Sequence, residues 1–112
     1  MAENATKPMP KHWQIMKEMN EEMNEKTAAW RDAVSGSGNT TFTPKEKQLI
    51  ILAMCCAIRH LNGVKAHAGH AMKAGATKEE LFAVAALSMI IGGCPSYGES
   101  IKVIEEVWSQ NA

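Results

Sequence analysis

Three of the chain's four histidines, His60, His67 and His70, lie in one short stretch that is otherwise rich in alanine and glycine. Imidazole is the side chain that gains and loses a proton near neutral pH, so such a cluster offers acid/base chemistry or metal ligation. His67 sits one to two turns inside an expected helix, where it reads as a general acid or base beside a pocket. A histidine hydrogen-bonded within a helix or a subunit interface would look the same in sequence. His67 and His70 are spaced i, i+3, so both rings can face one ligand or one metal ion. His60 falls on a similar azimuth two turns away, and no carboxylate or cysteine in the segment completes a ligand set around the His67, His70 pair.

The sulfur-bearing residues offer less. Cys55 and Cys56 lie in the most apolar part of the chain and read as core filler. Cys94 follows Gly92-Gly93 and precedes Pro95, which places it near a helix start where a thiol can be acidified. An inert small residue in a tight turn is the preferred reading there. Met16, Met19 and Met23 recur with Trp13 and Trp30 at helical spacing, which fits packing better than copper binding.

The elements that must position these groups are all helical. From Lys11 to Val34 a narrow apolar stripe predicts one long amphipathic helix, longer than a small domain easily covers. Part of that stripe is expected to pack on another subunit. Ser35 to Thr41 reads as a flexible loop. Thr43-Pro44-Lys45-Glu46 carries the residues of a capping box with proline at the first helical position. The helix that follows is apolar nearly all round and is expected to be buried on most sides. A break near His60 to Gly63, with Asn62 as a cap, leads into a short helix that stops at Gly75. Thr77-Lys78-Glu79-Glu80 repeats the capping pattern and opens a helix to about Ile91. Gly92-Gly93 ends it, and Pro95 begins a last helix reaching about Trp108. Nothing alternates with period two, so the fold class is all-α, with about five helices.

The whole chain narrows the function classes further. Its 112 residues suit one domain, residues 11 to 112, behind a flexible tail of residues 1 to 10. With 46% apolar residues it can build a core, and 12 basic against 12 acidic residues give no footprint for nucleic acid or an anionic membrane. The first ten residues lack the apolar stretch of a signal peptide. No apolar run approaches the roughly 20 residues that span a bilayer. Three cysteines, two of them adjacent, fit a reduced, cytoplasmic protein.

Residues 43 to 107 resemble the carboxymuconolactone decarboxylase family, which includes the alkylhydroperoxidase D (AhpD) proteins. The resemblance rests on Lys-Glu-Lys-Gln-Leu-Ile at 45–50, the alanine-rich helix ending in Arg59, and His67 eight residues before Gly75. It continues through Gly-Ala-Thr-Lys-Glu-Glu at 75–80 and Gly92-Gly93. It implies an AhpD-like helical fold assembled as a homo-trimer or homo-hexamer. In the family's peroxidase members a Cys-x-x-Cys pair opens the helix that carries the histidine, and a glutamate one helix earlier relays protons with that histidine.

This chain departs from that arrangement. Counting back from His67, His60 and Gly63 stand at the two cysteine positions, and Gln48 stands at the glutamate position. Imidazole forms no disulfide, glycine has no side chain, and glutamine exchanges no proton at neutral pH. Peroxiredoxin-type antioxidant activity is therefore disfavoured. The decarboxylase branch also lacks the cysteine pair, although no basic cluster here obviously clamps a substrate with two carboxylates. Arg59, Lys65 and Lys73 are the nearby cations.

The expectation is a thiol-independent, lyase-like enzyme or small-molecule binder. Its pocket would be lined by His60, His67 and the Gly92–Tyr97 turn, with His67 as acid/base and Gln48 and Tyr97 positioning groups. A non-enzymatic oligomer, with a His67, His70 metal pair, is the alternative. No cofactor is called for.

Overall fold

The computed structural model describes residues 9 to 111; of the expected tail, residues 1 to 8 lie outside the described residues. The described residues are helical with no strand, and they divide into two compact units, one ending at Thr40 and one beginning at Thr41.

The first unit is a helix pair, α1 (Lys11–Met19) and α2 (Glu21–Ser35). The single long helix expected here is broken at Asn20. That residue leaves the helical region at φ −157°, ψ 90°, and its side chain accepts a hydrogen bond from the Met23 amide. Asparagine competes well for that capping role, and Glu21 and Glu22 then complement the positive end of α2. The Arg31 guanidinium of α2 lies 3.8 Å from the centre of the Trp13 ring of α1, a cation–π contact joining the pair. No residue of either helix is buried. Trp30, expected as a packing anchor, remains 62% exposed.

The second unit holds α3 (Pro44–Ala57), α4 (Leu61–Lys73), α5 (Lys78–Leu87), α6 (Met89–Gly92) and α7 (Cys94–Gln110). Helix α4 packs against both α3 and α7, and α5 packs against α7 and α3. The core where they meet contains Leu52, Cys56, Val64, Leu81 and Ile104, all fully buried. Each large aliphatic among them contributes about 1.5–3 kcal/mol by leaving water. The face of α4 in the core carries Ala68 and Ala71, small enough to bring helix backbones close.

Both capping boxes form as expected. Thr43 accepts from the Glu46 amide at 3.1 Å and Glu46 accepts from the Thr43 amide at 2.8 Å. Thr77 and Glu80 repeat this at 3.1 and 2.9 Å. Lys45 of α3 bridges to Glu80 of α5 at 3.0 Å. The Glu80 carboxyl is held below its ordinary value, first by the Thr77 amide and then by Lys45.

Two helix ends set the site. Helix α4 closes in a Schellman motif, with the Ala76 amide on the Ala71 carbonyl and the Gly75 amide on that of Met72. Gly75 supplies the positive φ this needs, at 103°. Helix α3 closes the same way, with His60 on Cys55 and Arg59 on Cys56, but there the left-handed position is Arg59, at φ 57°. A side chain in that conformation costs roughly 1–2 kcal/mol.

Two further expectations are corrected by the structure. Helix α4 begins at Leu61 with His60, not Asn62, as its N-cap residue, because the Schellman turn delivers His60 directly to the helix start. The helix opened by Thr77 ends at Leu87 rather than about Ile91. The buried Ser88 hydroxyl donates to the Ala85 carbonyl at 2.6 Å, and α6 begins after it. Helix α3 is, as expected, buried or half-buried round most of its circumference: Leu52, Cys55 and Cys56 face inward, Leu49 and Ile51 pack beside them, and the exposed stripe is Ile50, Met54 and the C-cap residue Ile58. Gly92 and Gly93 then serve different needs. A methyl at Gly92 would stand 1.8 Å from Ser96 Oγ and 2.5 Å from the Ala57 carbonyl oxygen, whereas Gly93 holds φ at 80°.

Candidate functional site

Gln48 stands in the second turn of α3 and His67 in the middle of α4, and the packing of those helices brings the side chains together. His67 Nδ1 lies 2.7 Å from Gln48 Oε1. Since a carbonyl oxygen only accepts, a neutral His67 facing Gln48 Oε1 would carry its proton on Nδ1 and donate it. The neutral ring then keeps its lone pair on Nε2. One short hydrogen bond thus ties the ring to α3 and favours the tautomer protonated on Nδ1.

The surroundings favour the neutral ring. Partial burial pushes the His67 value below that of an ordinary histidine, and the neighbouring charges of His70 and then His60 push the same way. The His70 ring meets His67 edge-on, with centroids 5.5 Å apart and planes at 70°. His60, at the N-terminus of α4, is near enough for its charge to act on His67. The structure therefore brings together Gln48, His60, His67 and His70. Among the described residues no group of three or more His, Cys, Asp or Glu side chains could hold a metal ion, so His67 and His70 stand as a two-donor pair.

Other candidates sit elsewhere. The Tyr97 ring is turned to Phe82, with centroids 5.9 Å apart at 88°, and the His67–Gln48 bond forms without it. Cys94 is the first residue of α7 and is exposed. The Cys55 and Cys56 thiols are both raised by burial, with the Ser100 hydroxyl beside Cys56 pulling the opposite way. Burial of that kind disfavours the thiolate and hence thiol reactivity. Arg59, one of the cations near the site, is tied to Glu99 of α7 at 3.4 Å. Cys55 itself was missed as a neighbour of the site. Its thiol and the His60 ring both lie close over Gly63, a placement set by the turn after α3 that no periodicity announces.

A model of the carboxymuconolactone decarboxylase family matches residues 21–106. The chain belongs to that family. The match reaches past the segment recognised from its motifs and takes in all of α2. No curated protein and no solved structure matches the chain. Within the family, then, this member carries a glutamine–histidine pair beside a histidine and a glycine, with no thiol at either position.

Proposed function

We propose that this protein is a thiol-independent member of the family, with His67 as its acid/base and Gln48 as the group that orients it, acting on or binding a small molecule. The observation that carries this reading is the 2.7 Å contact between His67 Nδ1 and Gln48 Oε1. It leaves a neutral imidazole whose Nε2 lone pair can take a proton from a bound molecule and return it. The lowered His67 value supports a ring that is unprotonated at neutral pH and so ready to act as a base. The chemistry is lyase-like proton transfer, as a decarboxylation requires, and it needs no thiol. His60 and His70 supply further polar groups beside the same ring, and Tyr97 is a positioning group of lower weight because it faces Phe82.

Assembly as a homo-trimer or homo-hexamer belongs to the same proposal. Support comes from the uncovered apolar side chains Ile50 and Met54 on α3 with Ile58 at its C-cap, and Leu87, Ile90 and Ile91 at the end of α5 and in α6. Light scattering on the purified chain tests it. Three unpaired cysteines support a reducing, cytoplasmic setting, and no described helix is long and apolar enough to cross a membrane.

The decisive experiment compares His67→Ala with a variant in which Cys55, Cys56 and Cys94 are all alanine, over a panel of small lactone and keto acids. The reading expects loss of turnover or binding in the first and retention in the second. Turnover that survives His67→Ala, or peroxide consumption by wild type that vanishes with the cysteines, overturns it.

A further inference from the structure

We propose that Gly63 is the seat of the His60 imidazole, a positioning residue that fixes the second ring of the site relative to His67. The inference rests on reading His67 as the working base. Gly63 is buried in the first turn of α4. Its backbone does not ask for glycine: among the described residues, the glycines with positive φ are Gly75 and Gly93. Space does. A methyl at Gly63 would stand 2.5 Å from His60 Cδ2, 3.1 Å from His60 Nε2 and 2.8 Å from Cys55 Sγ.

Two other helical glycines give the comparison. A methyl at Gly69 or Gly98 would meet nothing within 4 Å, so their missing side chains make room for nothing. Only the glycine in the His60 turn is covered by an imidazole and a thiol.

His60 is also free for this role. It is the N-cap residue of α4, yet its side chain makes no capping hydrogen bond. The turn that delivers it is strained at Arg59 and held by the His60–Cys55 and Arg59–Cys56 backbone bonds and by the Arg59–Glu99 bridge. Local strain of this kind persists where surrounding contacts over-determine it. The ring therefore arrives over the bare Cα of Gly63 with Cys55 Sγ against the same Cα, and from there its charge reaches His67. Any side chain at position 63 evicts the ring and removes that influence.

The test uses the full chain with labelled histidines. In wild type, an Overhauser contact between His60 Hδ2 and a Gly63 Hα is expected; its absence overturns the proposal whatever the variants do. In Gly63→Ala, the His60 ring resonances shift and the His67 titration midpoint rises, as it also does in His60→Ala. A merely structural glycine would lower the thermal midpoint without moving His67 in that direction. Unshifted His60 resonances and an unmoved His67 midpoint in folded Gly63→Ala overturn the proposal. Retained turnover in His67→Ala would instead sink the acid/base reading and leave the seat of His60 standing.

Discussion

Replacing Gln48 by glutamate probes the imidazole most sharply, because it changes only the side-chain nitrogen and keeps the oxygen that meets Nδ1. With His67 Nδ1 2.7 Å from the side-chain oxygen, the centres of an imidazolium and a carboxylate would lie about 4 Å apart. At an effective dielectric near 20 that attraction is roughly 4 kcal/mol. Both side chains are only part-buried, so solvent screening and the carboxylate's own desolvation offset a large share. About 1.4–2.7 kcal/mol should remain, a tenfold to hundredfold rise in the His67 protonation constant. Gln48→Glu would thus convert a neutral base into an imidazolium that persists closer to neutral pH. Nitrogen-detected NMR titration of the four histidines reads this directly, with His12 in the first unit as an internal reference. A protonation constant within twofold of wild type, or a lower one, would refute the placement of Gln48 against Nδ1.

The other predictions concern the turns and the pH dependence of stability. Arg59→Gly relieves a left-handed side chain worth roughly 1–2 kcal/mol and gives up a half-exposed ion pair worth at most about 1 kcal/mol, so the urea midpoint should rise slightly. Gly92→Ala should destabilise by about 2 kcal/mol or more, because its methyl would overlap Ser96 Oγ and crowd the Ala57 carbonyl; an unchanged midpoint would contradict that packing. Thr77→Ala removes the cap of α5 and should cost about 1 kcal/mol in thermal or urea unfolding. His67 has a folded value below its unfolded one, so the unfolded chain binds more protons as pH falls through the ordinary histidine value of 6.5. Stability is therefore full above that value and falls with acidification until the folded value is passed; His67→Gln should flatten this part of the profile.

Much of the fold was legible because it is written in local chemistry. Thr43 and Thr77 each stand three residues before a glutamate, and both capping boxes form. Gly75 could be read as a stop because a Schellman end asks for a positive φ. What escaped had either no local signature or one outweighed by a longer pattern. Asn20 breaks α1 from α2 through a cap that competes with an otherwise unbroken apolar stripe. Arg59 occupies a left-handed position that composition would assign to glycine, so the sequence points to a break at His60 to Gly63, just past the actual turn. The open Ile50, Met54 and Ile58 stripe of α3 was hidden because an all-round apolar sequence does not say which side stays uncovered. In the site, the positions of His67 and Gln48 came from register with the family, but their hydrogen bond is a product of α3–α4 packing. The partnership of Gly63, His60 and Cys55 is likewise a three-dimensional fact, since sequence spacing shows only that the residues are near one another along the chain.

The central claim is that His67 is a neutral imidazole held by Gln48 with Nε2 free to accept a proton. The nitrogen chemical shifts of His67 in wild type at neutral pH test it most directly. The account predicts a protonated Nδ1 and a bare Nε2. A ring protonated on Nε2 alone, or on both nitrogens, would contradict it.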